Sequence, residues 1–191
     1  MTPELAAWLV SPDAGPVLAA AAAEDNPDSL GAGERLRRLV PPDRAAAVLT
    51  QVALRRKAVA KFGERASRLF FTPDGLEQAT RADVARWRAE RFAAARATSI
   101  VDLGCGIGAD ALAFADVGLD VVAVEADAVT AVLAEANLGR PVVVGDATEI
   151  AQGFLADGTA VFLDPARRTA SGRTWRVEDL SPSWDFATGL L

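Results

Sequence analysis

The amino-acid sequence predicts an α/β protein in which a helical N-terminal domain is followed by a parallel sheet of about four strands. Two observations lead to this fold class. Up to about residue 95, apolar residues recur at helical spacing, and no segment alternates as a half-buried strand would. From Ser99 onward, short β-branched runs are separated by helical stretches, which is typical of βαβ units. We therefore expect a helical domain over residues 1–95 and a sheet domain over residues 96–191.

Three Ser/Thr-Pro-acid triplets predict where helices begin in the N-terminal domain. Each supplies a capping hydroxyl, a proline suited to the first helical position and an acid favoured by the helix dipole. The triplets are Thr2-Pro3-Glu4, Ser11-Pro12-Asp13 and Thr72-Pro73-Asp74. Further helices are predicted near residues 35–39, 43–62 and 82–95, where alanine and leucine are frequent.

Four strands are predicted after Thr98, and each ends in an acidic residue. They are SIVD ending at Asp102, LDVVAVE ending at Glu125, PVVVGD ending at Asp146 and AVFLDP reaching Asp164. In open parallel sheets, ligands bind outside the carboxyl ends of the strands, near the point where the strand order reverses. We therefore expect the four acids to face one crevice.

The turn after the first strand contains Gly104, Gly106 and Gly108, which permit a sharp bend and the close approach of a ligand. These glycines alone leave the ligand open. Gly104, Gly106 and Ala109 also satisfy the dinucleotide pattern G-x-G-x-x-G/A, with Glu125 placed to hold a ribose.

Asp102 favours a cationic ligand, because a carboxylate just before the turn would repel a pyrophosphate. S-adenosylmethionine carries a sulfonium and an ammonium group. Its adenosine offers ribose hydroxyls to Glu125 and an exocyclic amino group to Asp146. The strand-end acids therefore favour S-adenosylmethionine as the cofactor.

The ordered set VDLGCGIG, VVAVEA and GDA resembles the motifs of class I S-adenosylmethionine-dependent methyltransferases, over Ser99 to about Arg168. The resemblance implies a Rossmann-like methyltransferase sheet. It also implies cofactor contacts from Asp102, Gly104, Cys105, Gly106, Gly108, Glu125, Ala126, Asp146 and Ala147. Cys105 has no histidine to activate it, so we expect its side chain only to pack under the turn.

Two weaker similarities extend this resemblance. FFTPDGLEQAT is similar to the TPE segment of cap trimethylguanosine synthases and related RNA methyltransferases, which implies that Phe71 and Thr72 close over the cofactor. Asp-Pro-Ala-Arg-Arg resembles bacterial methyltransferases that carry a C-terminal THUMP-like domain. Together these similarities favour RNA as the partner.

Asp164 and Pro165 are the predicted catalytic residues. Amino-group methyltransferases place Asp/Asn/Ser-Pro-Pro-aromatic here, and the resemblance implies that the Asp164 carboxylate and a backbone carbonyl orient the target nitrogen. This sequence departs from that motif at Ala166 and Arg167. The Arg167 guanidinium could stack on a base or pair with a phosphate, and Arg168 could add a phosphate contact. Methyl transfer to an RNA base amino group is the favoured reaction.

A second predicted contact with RNA is the segment RRKAVAKFGERASRL. Its basic residues Lys57, Lys61, Arg65 and Arg68 fall on one helical stripe. A solvated face opposite an apolar core stripe is the alternative interpretation.

Composition excludes several classes of protein. The chain has no histidine and one cysteine, which excludes disulfides, Cys/His zinc sites and imidazole-dependent catalysis, and no metal is expected. The sequence shows no basic leader and no apolar run of membrane-spanning length, so a cytoplasmic protein without a membrane partner is predicted. The formal net charge of −6 is uneven, with 15 basic and 12 acidic residues up to residue 96 and 5 and 14 after it.

Class I methyltransferases have seven strands, so a chain with about four is expected to be C-terminally truncated. We expect its last strand to leave an exposed edge that favours self-association. A chain truncated in this way is expected to need the missing part for activity. Three alternatives remain: a module that binds the cofactor without catalysis, a small-molecule methyltransferase and an NAD-binding dehydrogenase domain.

Overall fold

The computed structural model describes residues 1–155, 159–169, 172–173 and 180–190. The α-helices in these ranges are α1 (Pro3–Val10), α2 (Gly15–Ala22), α3 (Leu30–Leu36), α4 (Pro42–Phe62), α5 (Pro73–Gln78), α6 (Ala82–Ala94), α7 (Ala109–Asp116), α8 (Ala128–Leu138), α9 (Ala147–Ile150) and α10 (Trp184–Gly189). In the described ranges, no single helix is long and apolar enough to cross a membrane, and only the bent pair Pro3–Val10 and Pro12–Ala22 meets that test together.

Two of the three predicted helix starts have the expected cap. The hydroxyl oxygen of Thr2 accepts a hydrogen bond from the Leu5 N–H at 3.3 Å, and that of Thr72 accepts one from the Gly75 N–H at 2.9 Å. Ser11 differs, because its hydroxyl donates to the Trp8 carbonyl at 2.7 Å and a 3-10 turn, Pro12–Ala14, follows. The α-helix there begins only at Gly15, as α2.

A four-stranded parallel sheet lies in the second half of the chain, as the sequence predicts. Its strands are β1 (Ser99–Leu103), β2 (Asp120–Glu125), β3 (Val142–Val144) and β4 (Ala160–Leu163), and they lie side by side in the order β3-β2-β1-β4. The order reverses between β1 and β4, which pair with Asp102 opposite Phe162. The predicted fold class is confirmed.

A second, antiparallel sheet follows β4 and has no counterpart in the sequence prediction. It consists of β5 (Ala166–Thr169), β6 (Gly172–Arg173) and β7 (Leu180–Ser181), with β5 in the middle. Within the described ranges β4 pairs only with β1. Self-association through an exposed edge of the parallel sheet, at its last strand β4, stays a prediction.

Both faces of the parallel sheet are covered by apolar side chains. On one face, α6 and α7 cover Ile100 and Ala123, and the rings of Phe92, Phe114 and Phe162 meet edge to face at 5.1–6.5 Å between centroids. The opposite face buries Val101, Leu103 and Val124 under Ala147 and Ala151, with Phe186 partly buried beside them. This packing leaves the carboxyl ends of the strands as the open edge.

The helical and sheet segments share apolar contacts. One cluster joins Phe62 and Phe71, from the helical segment (residues 1–95), to two residues near the first strand. These are Ile107, in the turn over residues 104–108 (the glycine turn), and Leu112 in α7. In addition, α1 packs against α8. The predicted boundary between residues 95 and 96 falls between α6 and β1, and the division into two domains stays a prediction.

Candidate functional site

A cavity of about 1030 Å³ lies at the carboxyl ends of the strands, between the glycine turn and the α5 segment. Seven acidic residues line it, and no lysine or arginine does so in the described ranges. The acids are Asp74, Glu77, Asp102, Asp110, Glu125, Asp146 and Asp164. The four strand-end acids predicted to face one crevice therefore all line this cavity.

The glycine turn needs its glycines for backbone reasons. Gly104, Gly106 and Gly108 have φ values of +86°, +57° and +85°, in the left-handed region that side chains disfavour. A Cβ built on Gly104 or Gly106 would meet no atom within 4 Å. A Cβ on Gly108 would lie 3.3 Å from Leu138, because Gly108 begins α7 behind the cavity. The turn thus presents bare backbone to the cavity at positions 104 and 106.

Asp102 is the most deeply buried acid of the cavity wall, with 2% of its surface exposed. Its Oδ2 atom has no hydrogen-bond partner in the described part of the chain. Burial raises the pKa of Asp102 well above its ordinary value, and the negative charges of Asp110, Asp164 and Glu125 raise it further. An unpartnered carboxylate oxygen beside three other acids favours a ligand with a positive charge or N–H donors.

Glu125 ends β2 and ties that strand to the glycine turn. Its Oε2 accepts the Gly106 N–H and its Oε1 accepts the Asp127 N–H, both at 2.9 Å. The carboxylate is half-buried. Because each oxygen accepts one hydrogen bond in the described ranges, each keeps a lone pair for a further donor. The adjacent Ala126 is exposed and also lines the cavity.

Asp146 is exposed and caps α9. Its Oδ1 accepts from the Thr148 N–H at 2.8 Å and from the Thr148 hydroxyl at 2.7 Å. The hydroxyl bond, followed by the backbone bond, lowers the pKa of Asp146. The Oδ2 atom has no partner in the described ranges, and Ala147 beside it lines the cavity.

Cys105 lies in the cavity wall and is partly buried. Its thiol is 3.5 Å from the Gly106 carbonyl oxygen, and burial raises its pKa, followed by the charges of Asp102 and Glu125. The thiol therefore stays protonated and is a poor nucleophile. Its position agrees with the expectation that the side chain packs under the turn.

The two residues predicted to close over the cofactor, Phe71 and Thr72, lie in different surroundings in the structure. Thr72 lines the cavity, whereas the Phe71 ring does not and is only 1% exposed. That ring lies 5.6 Å from the Phe62 ring between centroids, and the Phe71 N–H donates to Gln51 Oε1 at 3.2 Å. Packing against Phe62 buries the Phe71 ring, so only Thr72 of these two residues lines the cavity in this structure, and their closure over the cofactor stays a prediction.

Asp164 and Pro165 line the cavity after β4, and an arginine missed by the sequence analysis lies beside them. Arg88 Nη1 is 3.1 Å from Asp164 Oδ2 and 3.1 Å from Asp110 Oδ1. Arg88 belongs to α6, a helix with several arginines, and its partner Asp164 lies 76 positions later. No local sequence signal distinguishes it. Arg167 and Arg168 lie in β5, and their side chains are outside the described part of the structure.

The predicted basic stripe is not one surface. Lys57 and Arg68 are exposed, but Lys61 donates from Nζ to the carbonyls of Leu76, Glu77 and Ala79 at 2.7, 2.7 and 2.9 Å. Arg65 pairs with Asp116 at 2.5 Å. Because α4 ends before Gly63, whose φ is +56°, the helical spacing assumed for Arg65 and Arg68 does not continue. The predicted single helical stripe is therefore wrong, and phosphate binding by these residues stays a prediction.

A family model described as a domain of unknown function (DUF8688) matches residues 2–58. Two curated relatives, from Mycobacterium tuberculosis strains CDC 1551 / Oshkosh and H37Rv, are each 32% identical over 147 residues. Both are named uncharacterized S-adenosylmethionine-dependent methyltransferases. The matched region is 73% of this chain and 40% of each relative, so the chain spans well under half of their length.

A solved structure is also similar. It is described as the "crystal structure of putative methyltransferase from Porphyromonas gingivalis W83", and it is 26% identical to this chain with a TM-score of 0.65. The similarity covers 91% of this chain and 46% of that one. The helical segment is therefore part of the shared architecture, together with the sheet.

Proposed function

We propose that this chain carries the donor site of an S-adenosylmethionine-dependent methyltransferase and that the methyl acceptor is an amino nitrogen. The observation that carries the proposal is the buried Asp102 carboxylate, which has an unpartnered Oδ2 and belongs to a residue lining a cavity of acids and bare glycine backbone. The names of the M. tuberculosis relatives and of the P. gingivalis structure support it.

The residues present fit this cofactor. An ammonium group would give Asp102 Oδ2 the donor and the positive charge that it lacks. Glu125 retains lone pairs for ribose hydroxyls, and Asp146 Oδ2 is open to the adenine amino group. S-adenosylmethionine supplies a methyl group that its sulfonium already activates. The competing dinucleotide fits less well, because its pyrophosphate would add negative charge beside Asp102, Glu125 and Asp110.

Asp164 and Pro165 form the acceptor side of the proposed site. The Asp164 side chain is 57% exposed. Arg88 binds its Oδ2, and its Oδ1 has no hydrogen-bond partner in the described ranges. Oδ1 would accept one N–H of the acceptor, and the Pro165 carbonyl would accept another. The nitrogen lone pair would then be oriented toward the methyl carbon, and positioning of this kind supplies much of the catalysis in a displacement reaction.

RNA is the proposed acceptor class, with a base amino group as the target. Lys57 and Arg68, both exposed, support it as contacts for phosphate groups, whereas Lys61 and Arg65 already have partners within the chain. Incubation with labelled S-adenosylmethionine and total cellular RNA, DNA, protein and metabolite fractions tests this proposal. Label in the RNA fraction, with binding that weakens as salt increases, is expected. Label confined to metabolites would show a small-molecule methyltransferase instead.

Calorimetric titration with S-adenosylhomocysteine and with NADH tests the donor site. S-adenosylhomocysteine should bind and NADH should not. Asp102→Asn should weaken binding by at least about tenfold, which is about 1.4 kcal/mol. Asp120→Asn is the matched control, because Asp120 begins β2 at the far end of the strand and its side chain is 86% exposed. Preferential binding of NADH, or equal affinities for Asp102→Asn and the wild type, would contradict the proposal.

Asp164→Ala distinguishes an enzyme from a module that only binds the cofactor. In an enzyme, this substitution should abolish methyl transfer and leave the affinity for S-adenosylhomocysteine within about twofold of the wild type. A wild-type chain that binds S-adenosylhomocysteine but labels no fraction would favour the binding module.

A further inference from the structure

Arg88 connects the helical segment to the end of β4. Its Nη1 atom lies 3.1 Å from Asp164 Oδ2, 3.1 Å from Asp110 Oδ1 and 3.3 Å from Thr80 Oγ1. Its Cζ atom lies 5.3 Å from the centroid of the Phe162 ring. Three polar contacts and one aromatic face therefore hold a single guanidinium group.

The supports of Arg88 come from well-packed elements. Asp110 is the second residue of α7 and its side chain is 10% exposed, while Phe162 lies in β4 within the aromatic group over the sheet. Burial alone would lower the pKa of Arg88, but the charges of Asp110 and Asp164 raise it overall, so the side chain stays protonated. Arg88 is thus a charged donor held in one place by residues other than Asp164.

Asp164, by contrast, has few contacts that could hold it. It follows β4, its side chain is 57% exposed, and Arg88 is its hydrogen-bond partner in the described ranges. An exposed ion pair contributes little to the free energy of unfolding, typically under about 1 kcal/mol. The main effect of this pair is therefore geometric, because it restricts the rotation of the Asp164 carboxylate.

We propose that Arg88 is a positioning residue, which binds Asp164 Oδ2 and thereby presents Oδ1 to the amino group of the acceptor. The inference rests on the proposed function, because Arg88 acts through Asp164, which lines the acceptor side of the cavity. It also gives the helical segment a part in the reaction: α6 supplies the group that orients the residue in contact with the acceptor. Functional side chains held in this way by rigid neighbours keep their geometry.

Sinefungin tests the proposal without an acceptor. This analogue of S-adenosylmethionine carries an amine in place of the methyl-bearing sulfonium, so its ammonium group reports on the carboxylate at the methyl-transfer position. The measured quantity is the affinity for sinefungin divided by that for S-adenosylhomocysteine. Asp164→Asn should lower this ratio about tenfold. Arg88→Lys, which keeps the charge but loses the planar guanidinium, should lower it about threefold or more.

A double-mutant cycle separates positioning from a general structural effect. In the Asp164→Asn background, Arg88→Lys should leave the ratio unchanged, because there is no carboxylate left to orient. Arg86→Lys on the same helix is the control, since the Arg86 side chain is 73% exposed, and it should have no effect in either background. Melting temperatures verify that each variant is folded.

Two results would overturn the inference alone: an equal effect of Arg88→Lys in both backgrounds, or no effect of Arg88→Lys in the wild-type background. If the wild type bound neither S-adenosylhomocysteine nor sinefungin, the proposed function would fail and the inference with it. The two failures are therefore distinguishable.

Discussion

Gly75 lies directly against Ile107, so that a Cβ built on Gly75 would be 2.6 Å from Ile107 Cγ2. The same Cβ would be 2.7 Å from Thr72 Oγ1. This contact brings the first turn of α5 against the glycine turn, and both segments line the cavity. The distance between α5 and the glycine turn is therefore set by the absence of a side chain at position 75.

Gly75→Ala should push α5 away from the glycine turn. Because the added methyl group overlaps Ile107 and the capping hydroxyl of Thr72, we expect a loss of about 1–3 kcal/mol in the free energy of unfolding. Weaker binding of S-adenosylhomocysteine should accompany it. Gly33→Ala is the control, because Gly33 lies inside α3 with only ordinary contacts and should be neutral or stabilising. Equal behaviour of the two variants in urea denaturation would refute the prediction.

Asp102 should make the stability of the protein fall as pH rises. Burial, and then the charges of nearby acids, raise its pKa in the folded chain well above the ordinary 3.8. A carboxyl group raised in this way contributes most stability below its unfolded pKa and loses that contribution as the pH rises through its folded pKa. Asp102→Asn carries no charge, so it should gain stability relative to the wild type as the pH rises.

Urea denaturation of the wild type and Asp102→Asn, from about pH 4 to about pH 8, measures this difference. Each unit by which the folded pKa exceeds the unfolded one corresponds to about 1.4 kcal/mol. Asp120→Asn should show no such trend relative to the wild type, because its carboxylate is exposed. If the difference in free energy of unfolding between the wild type and Asp102→Asn were the same at all pH values, the pKa of Asp102 would not be raised by folding.

Asn137 joins three parts of the chain through one side chain. Its Nδ2 donates to the carbonyls of Phe70 and Ile107 at 2.9 Å each, and its Oδ1 accepts the Phe70 N–H at 2.7 Å. Asn137→Ala should cost about 2 kcal/mol, because partly buried backbone groups lose their partners. Asn137→Asp should be worse, since a carboxylate oxygen would then face two carbonyl oxygens.

Thermal denaturation compares these variants with Asn26→Ala. Among the residues that the structure describes, the Asn26 side chain only accepts an exposed Asp28 N–H at 3.0 Å, so its loss should shift stability by less than about 0.5 kcal/mol. If Asn137→Asp proved as stable as the wild type, the hydrogen bonds assigned to Asn137 would be incorrect.

Lys61 and Lys57, both on α4, should behave differently. Lys61 binds three carbonyls at the end of α5, and burial lowers its pKa, as does the charge of Arg81. Lys61→Met should therefore reduce the free energy of unfolding by about 2 kcal/mol. Lys57→Met should leave stability unchanged, because the Lys57 side chain is exposed.

RNA binding provides the second measurement for this pair. If Lys57 contacts phosphate groups, Lys57→Met should reduce the dependence of RNA affinity on salt, whereas Lys61→Met should not. Equal losses of stability in the two variants would contradict the intramolecular role of Lys61.

Much of the fold follows from local chemistry and was predictable from the sequence. The caps at Thr2 and Thr72, the helices within residues 43–62 and 82–95, and the four β-branched strands all depend on residues within a few positions of each other. The left-handed glycines of the first βα turn belong to the same category. Parallel strands then bring their carboxyl ends to one edge, which is why the four strand-end acids among the seven acids of the cavity could be named in advance.

The misses involve contacts between distant parts of the chain. Arg88, Asn137 and Gln51 each bind partners at least 20 positions away, and nothing beside them in the sequence marks those partners. Phe71 was assigned to the cavity by similarity, but packing with Phe62 determines where its ring lies. The basic stripe failed because it extended a helical repeat beyond Gly63, where the backbone of α4 leaves the helix.

The unbroken course of α4 has a consequence for exchanging parts between relatives. The family match ends at residue 58, yet α4 continues to Phe62, and its last turn contributes Ala58 and Phe62 to the cluster around Ile107. A chimera joined at residue 58 would contain sequence from two different proteins within the single helix α4. Such a chimera should fold only if the side chains of the second protein that replace Ala58 and Phe62 also pack against Ile107 of the glycine turn. A junction after Gly63 keeps α4 whole and is therefore the better choice.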